Sequence, residues 1–320
     1  MRRLKLIVTR RLPEAVEALF AEHFDAELNP DDRPLGRDGL ADAMRRCDIL
    51  APTLTDRLDR ELIAGAGERL KLIANYGAGT DNIDLDGARA RGIAVTNTPD
   101  ALTDDTADLV MALILMTPRR FGEGERVVRS GRWSGWGPTD QLGRTVNGKA
   151  LGIVGMGRIG EAVAQRARAF GIEVHYHNRR RVDGDEALGA RYWPDLDAML
   201  AQVDILSLNA PYTTETHHLI DRRRLALMRA GAFVVNAARG ALVDEEAMIE
   251  ALENGRLGGA GLDVYPKEPE VNPRLLAMPN VVLLPHLGSA TIETRTAMGE
   301  KLLANAIAFA DGRDLPNRVG

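Results

Sequence analysis

The sequence predicts an α/β protein of two doubly wound parallel-sheet domains, with the active-site cleft between them. Three observations carry that prediction. Short apolar strands alternate with helix-forming segments along the chain, the pattern of a parallel sheet covered by helices on both faces. A length of 320 residues accommodates two domains. Glycines at 155, 157 and 160 separate the apolar run from Leu151 to Val154 from the strong helix formers between Glu161 and Phe170.

In the first half, Leu4 to Thr9 reads as a strand, and Pro13 opens a helix to about Glu22. Glu27-Leu28 marks a weak strand, Leu40 to Arg46 a helix, Asp48 to Ala51 a strand, Asp59 to Ala64 a helix and Lys71 to Tyr76 a strand. Asp84 is placed to cap a helix from Leu85 to Arg91, because its carboxylate can accept from the first free N–H groups. Ile93 to Thr96 is the next strand.

From Thr103 the pattern changes. Asp104, Asp105 and Asp108 crowd the start of a long apolar helix, where the helix dipole favours negative charge. Pro118 should kink or end it, and a second helical piece runs to about Arg129. This is the expected crossing between domains, so the divisions are 1–101 with 290–320, and 102–289. The loop from Gly131 to Pro138 follows, with Trp133 and Trp136.

The alternation then resumes. After Leu151 to Val154 come strands at Glu173 to Asn178, Asp204 to Asn209, Ala232 to Ala237, Gly259 to Val264 and Val281 to Leu284. Helices are expected at Leu196 to Gln202, Arg222 to Met228 and Asp244 to Glu253. Six strands make a complete dinucleotide-binding sheet of the Rossmann type. The last helix, Ile292 to about Asp311, packs back on the first domain and makes it discontinuous.

Composition excludes several roles. A net charge of −5 without a long basic block argues against a nucleic-acid partner. The single cysteine, Cys47, rules out an intramolecular disulfide; near a helix end it reads as a buried structural thiol rather than a nucleophile, in a reducing compartment. Met1-Arg2-Arg3 is basic, but Lys5 interrupts the apolar run that a signal peptide needs. No apolar segment approaches the roughly 20 residues that span a bilayer. A cytoplasmic protein with no membrane partner is expected.

The glycines have separate physical tasks in a dinucleotide turn. Gly155 allows the tight turn, Gly157 lets the backbone approach a pyrophosphate, and Gly160 lets the helix pack on its strand. The helix N-terminus adds free N–H groups and a positive dipole end. At the end of the following strand an NAD site carries an acid for the ribose hydroxyls. Here that place holds Asn178, followed by Arg179, Arg180 and Arg181. A missing acid and a gained guanidinium favour a 2′-phosphate, hence NADPH, with NADH possible; a solvated basic turn is the structural alternative.

Three later strand ends bring chemistry to the same edge of the sheet: Arg239 after the fourth strand, Glu268 after the fifth and His286 after the sixth. Ketone reduction needs a proton donor, and His286 supplies one near neutral pH. Glu268 would favour the imidazolium, and Arg239 can bind a carboxylate and polarise the adjacent carbonyl. Each residue alone has a structural reading, as an ion pair, an acidic loop or a core histidine. Their convergence favours a hydride-and-proton site.

These stretches resemble the D-isomer-specific 2-hydroxyacid dehydrogenases, within them the glyoxylate/hydroxypyruvate reductase branch. The likeness lies in Gly155-Met156-Gly157-Arg158-Ile159-Gly160, Asn236 to Gly240, Asp263 to Pro269 and Pro285 to Ser289. In the first half it extends to Asn75 to Asp84 and Asn97 to Asp100. The resemblance implies that Arg239, Glu268 and His286 are catalytic, that the N–H groups of Ala78 and Gly79 take the substrate carboxylate, and that Leu54 lines the pocket. Thr106 and Asp263 would lie near the nicotinamide. Further cofactor contacts fall on Met156, Arg158 and Ile159, on Asn209, Ala210, Pro211 and Thr216 after the third strand, and on Ala237, Ala238 and Gly288. Asn209 stands where many relatives have histidine. Trp136 either reaches into the neighbouring subunit's site in a homodimer or is a packing tryptophan. No metal is expected.

The expected reaction is NADPH-preferring reduction of glyoxylate or hydroxypyruvate to the D-2-hydroxy acid. The alternatives are a bulkier 2-keto acid of the phenylpyruvate type and a non-catalytic dinucleotide-sensing protein.

Overall fold

The apolar runs form strands and the segments between them form helices in a computed structural model that describes residues 3–319. Met1 and Arg2 of the basic N-terminus, and Gly320, lie outside the described residues. The first elements are β1 (Lys5–Val8), α1 (Glu14–His23), β2 (Asp25–Glu27), α2 (Gly36–Arg46), β3 (Ile49–Ala51), α3 (Arg60–Ala64), β4 (Leu72–Ala74), α4 (Leu85–Ala90) and β5 (Ala94–Thr96). Next come α5 (Thr103–Met116), α6 (Phe121–Arg129), β6 (Ala150–Val154), α7 (Arg158–Ala169), β7 (Glu173–His177), β8 (Ala190–Tyr192), α8 (Leu196–Leu200) and β9 (Ile205–Leu208). The chain ends with α9 (Arg222–Leu227), β10 (Ala232–Asn236), α10 (Glu245–Glu253), β11 (Leu257–Leu262), α11 (Pro273–Ala277), β12 (Val281–Leu283), α12 (Ile292–Ala310) and β13 (Arg318–Val319).

Two compact units result, Met1–Leu102 with Ala290–Gly320, and Thr103–Ser289. In the first, parallel strands lie in the order β2-β1-β3-β4-β5, with β13 antiparallel on β5. That is the flavodoxin-like order. Successive residues face opposite sides of a strand, so Ile7, Leu50, Ile73 and Val95 enter one core. Leu6, Val8, Ile49 and Leu72 enter the other, with Phe20 of α1 and Leu302 of α12. The last helix therefore belongs to the first unit.

The second unit holds seven parallel strands in the order β12-β11-β10-β9-β6-β7-β8. All five residues of β6 are buried, as expected for a central strand covered on both faces. The strand order reverses between β6 and β9, and ligands bind open α/β sheets at the carboxyl ends of strands beside such a reversal. Gly155 follows β6 directly at that point.

Helix starts follow from local chemistry. The carboxylates of Asp59, Asp84, Asp221 and Asp244 accept from Leu62, Gly87, Arg224 and Ala247 N–H, each cap contributing about 1 kcal/mol. Helix α5 ends at Met116, before Pro118. Cys47 caps the end of α2 and is buried, which pushes its thiol up to about 12. Among the described residues no helix is long and apolar enough to cross a membrane.

Several expectations need correction. α2 starts at Gly36 rather than Leu40, because Gly36 and Gly39 lower the local propensity that marks a helix. The weak strand lies at Asp25–Glu27 rather than at Glu27-Leu28, since its place is set by pairing with Lys5 to Ile7. The expected helix to Gln202 stops at Leu200. The second sheet gains β8, an edge strand with no apolar alternation and an exposed Arg191, so nothing local announces it. Strand β13 exists only through its pairing with Val95 and Thr96, and α11 starts on the Asn272 cap.

Candidate active site

The glycine turn between β6 and α7 is shaped by close contacts. Gly155 has φ 97°, and a Cβ there would lie 2.5 Å from Ala210 N. A Cβ on Gly160 would lie 2.3 Å from Gly155 O, whereas one on Gly157 would meet nothing within 4 Å. Gly157 is the N-cap of α7 and offers no capping side chain, so the N–H groups that open the helix, at Arg158, Ile159 and Gly160, have no intrahelical partner. Between them lies Met156, whose backbone N–H donates to Asn178 Oδ1 at 2.7 Å and whose C=O accepts from Asn178 Nδ2 at 3.1 Å. Asn178 therefore clamps the turn. A glycine-lined cradle at a helix start, open where a Cβ would point, fits a pyrophosphate.

Beyond Asn178 the three arginines separate. Arg181 makes a two-pronged ion pair with Asp185, at 2.8 and 2.9 Å. Asp185 also accepts from the buried Tyr176 hydroxyl at 2.7 Å, and that hydroxyl accepts from Val182 N–H. The guanidinium of Arg181, then the Tyr176 hydroxyl, hold the Asp185 carboxyl down at about 2. Arg179 and Arg180 are exposed and have no salt-bridge partner among the described residues. The loop after β9 is braced internally: Thr216 Oγ1 donates to Pro211 O at 2.9 Å and accepts from Thr213 N–H at 2.7 Å. Asn209 donates to Ser207 Oγ at 3.0 Å.

The ends of β10, β11 and β12 carry the reactive side chains. Asn236, almost fully buried, donates to Arg239 O at 2.9 Å and accepts from Ala238 N–H at 3.1 Å, so it sets the turn Ala237 to Arg239. Glu268 accepts from Tyr265 N–H at 3.0 Å through Oε1 and from His286 Nδ1 at 2.8 Å through Oε2. Burial pushes the Glu268 carboxyl up, but the His286 hydrogen bond, the His286 charge and Arg239 outweigh it, and the net direction is down. With Nδ1–H given to a carboxylate, Nε2 is the exchangeable nitrogen. His286 sits at φ 55°, uncommon for a residue other than glycine.

What holds that backbone is Asp263. It is fully buried, accepts from Leu287 and Gly288 N–H at 2.7 and 3.0 Å, and its C=O accepts from His286 N–H at 2.9 Å. Thr106 Oγ1 donates to Gly288 O at 2.9 Å. Burial raises the Asp263 pKa against the pull of those bonds.

In the first unit, Leu54 is 41 % exposed on the loop after β3. Ala78 and Gly79 lie on the loop after β4, and their N–H groups have no protein acceptor among the described residues. Trp136 is 85 % exposed and does not pack into the core of its own chain. Among the described residues no group of three or more His, Cys, Asp and Glu could hold a metal. The roles of Asn236, Asn75, Tyr176 and Asp185 are not announced by their own segments. A polar residue at a strand end was the available signal, but its partners depend on the fold.

Comparison with known proteins places these features in a family. The NAD-binding domain of the D-isomer-specific 2-hydroxyacid dehydrogenases matches residues 111–288. A glyoxylate reductase of Thermococcus litoralis is 45 % identical over 320 residues, covering 98 % of this chain and 96 % of the relative. The structure of an NADPH-dependent glyoxylate/hydroxypyruvate reductase from Sinorhizobium meliloti, in complex with NADP and malonate, superposes with TM-score 0.89 at 35 % identity, covering 99 % of this chain and 97 % of that one. A D-mandelate dehydrogenase from Rhodotorula graminis superposes with TM-score 0.88 at 29 % identity, covering 100 % and 98 %.

Proposed function

Because this chain belongs to the D-isomer-specific 2-hydroxyacid dehydrogenase family and is an NAD(P)-dependent dehydrogenase, we propose that it reduces glyoxylate or hydroxypyruvate to the D-2-hydroxy acid, with NADPH preferred. The observation that carries the proposal is the Glu268–His286 pair, hydrogen-bonded at 2.8 Å with Nε2 left for exchange. Its relatives named for glyoxylate and hydroxypyruvate reduction support the substrate class.

A nicotinamide bound there would supply the hydride. His286 Nε2 delivers the proton to the carbonyl oxygen, and Glu268 fixes the ring through Nδ1. Arg239 binds the substrate carboxylate and polarises the adjacent C=O. The N–H groups of Ala78 and Gly79 take carboxylate oxygens, and Leu54 lines the side-chain pocket. Gly155 to Gly160 and the start of α7 would hold the pyrophosphate, Thr106, Asp263 and Gly288 would bound the nicotinamide, and Ala210, Pro211 and Thr216 would flank the cofactor.

NADPH preference rests on Arg179 and Arg180, since Arg181 is neutralised by Asp185 and no acid stands at position 178. The Arg179→Ala/Arg180→Ala double variant should raise KM for NADPH about 10- to 100-fold, as expected for charge-assisted bonds to a phosphate, and move KM for NADH by less than about threefold. Initial rates with both cofactors and glyoxylate decide this; parallel losses remove the arginines as the phosphate clamp. The same assay with a panel of 2-keto acids tests the function. Greater kcat/KM on phenylpyruvate would favour the bulkier-substrate reading, which the likeness to a D-mandelate dehydrogenase keeps in view. NADPH binding without any turnover would favour a dinucleotide-sensing protein.

A homodimer is part of the same proposal. Helix α6 has no buried residue, and with the loop after it exposes Phe121, Val128, Trp133, Trp136 and Leu142. Large apolar side chains left exposed on one helix and the loop that follows it support an interaction site there. Sedimentation should give twice the chain mass for the native protein and the single-chain mass for Val128→Glu/Leu142→Glu; a native monomer removes the proposal.

A further inference from the structure

Resting on the 2-keto acid reading, we propose that Asn75 is a positioning residue that turns the backbone N–H groups of residues 78–80 toward the substrate carboxylate. Asn75 follows β4 and is fully buried. Its Nδ2 donates to Gly79 O at 2.8 Å and, more weakly, to Gly77 O at 3.4 Å. Asn97 Nδ2 donates to the carbonyl between them, Ala78 O, at 2.7 Å. Thr98 N–H also donates to Gly77 O, at 3.0 Å.

Three successive carbonyls are thus tied to donors of the same unit. In a planar trans peptide the C=O and the following N–H point in opposite directions. Fixing the carbonyls of Gly77, Ala78 and Gly79 therefore turns the N–H groups of Ala78, Gly79 and Thr80 away from those donors. None of the three has a protein acceptor among the described residues. Successive N–H groups presented in this way form an anion-binding concavity. The geometry adds Thr80 N–H as a third donor to the two already assigned.

Asn75 is itself held in orientation. Its Oδ1 accepts from Asn82 Nδ2 at 3.4 Å, and the same Nδ2 reaches Thr53 O and Asp56 O, both at 3.1 Å. Asp56, nearly fully buried, accepts from Thr53 N–H at 2.8 Å and from the Thr9 hydroxyl. Asn82 therefore joins the loop that bears Leu54 to the loop that bears the N–H groups. An amide is needed at position 75, because an aspartate would set carboxylate oxygens against two carbonyl oxygens and a serine could not reach both.

The test is Asn75→Ala, with four measurements: oxamate affinity of the NADPH-loaded protein by fluorescence titration, KM and kcat for glyoxylate, NADPH affinity of the unloaded protein and the thermal midpoint. Loss of oriented donors to a charged group should weaken oxamate and raise KM by about 10-fold or more, with kcat within about threefold and NADPH affinity within about twofold. A folded variant with unchanged KM and oxamate affinity overturns the proposal. So does a uniform loss in which kcat and NADPH binding fall along with oxamate affinity, which a merely structural role would produce. If Asn75→Ala does not fold, Asn97→Ala, which frees only Ala78 O, should show the same split at smaller amplitude; unchanged KM there overturns the proposal. A wild-type protein that binds NADPH but neither binds oxamate nor reduces any 2-keto acid overturns the functional reading, and this proposal with it. Because that outcome is seen before any substitution, the two failures are distinct.

Discussion

Replacing His286 with asparagine is expected to lower kcat for glyoxylate reduction by about 10²- to 10⁴-fold, the usual contribution of a general acid. NADPH affinity should stay within about twofold, because the substitution removes the proposed proton donor and not a proposed cofactor contact. Asparagine is the informative replacement. The backbone at 286 has φ 55°, a region that asparagine enters more readily than most residues, so the loop clamped by Asp263 through Leu287 and Gly288 N–H should survive. Single-turnover rates and NADPH fluorescence titration read the two effects separately. Turnover near the wild-type rate would remove His286 as the donor. Glu268→Gln leaves an acceptor for Nδ1–H but no negative charge, and its kcat should fall between the two.

Gly240→Ala is expected to reduce kcat/KM by about 10²-fold or more, because misplacing a positioned group by about 1 Å has that consequence. The reason is a backbone approach. A Cβ on Gly240 would lie 2.1 Å from Tyr265 C and 2.3 Å from Pro266 N, contacts that no rotamer change can relieve. Either the turn that carries Arg239 or the loop that carries Glu268 must move, and Asn236 and Tyr265 N–H hold them in place. Overpacking of this kind also destabilises by about 1–3 kcal/mol. NADPH affinity should change much less than kcat/KM, since the glycine turn at 155 to 160 follows a different strand, β6. A fully active, stable Gly240→Ala enzyme would show that the two loops do not need this contact.

Much of the fold was legible because its signals are local. The central strands are apolar runs, as parallel strands buried on both faces must be, and the aspartates before α3, α4, α9 and α10 announce helix starts by their own side-chain chemistry. The two strands that escaped have no such signal, whereas α11 carries one in its Asn272 cap. β8 pairs with β7 alone and exposes Arg191, and β13 is two residues long. Their hydrogen-bond partners are 16 residues away for Val174 with Ala190, and far more for Thr96 with Arg318, so they are decided by the sheet and not by the segment.

The candidate site divides along the same line. Residue type and order settle which groups are present: the glycine spacing after β6, the absence of an acid at Asn178, and an arginine, a glutamate and a histidine after three successive strands. What each polar group does with its hydrogen bonds is set by the three-dimensional fold. It assigned Arg181 to Asp185 and left Arg179 and Arg180 without ion pairs among the described residues. It drew Asn178 onto the Met156 backbone, closed the Glu268–His286 contact, and set Asn75 against the carbonyls of Gly77 and Gly79. The physical reason is that a buried polar group must find a partner, and side chains at strand ends find theirs across neighbouring loops.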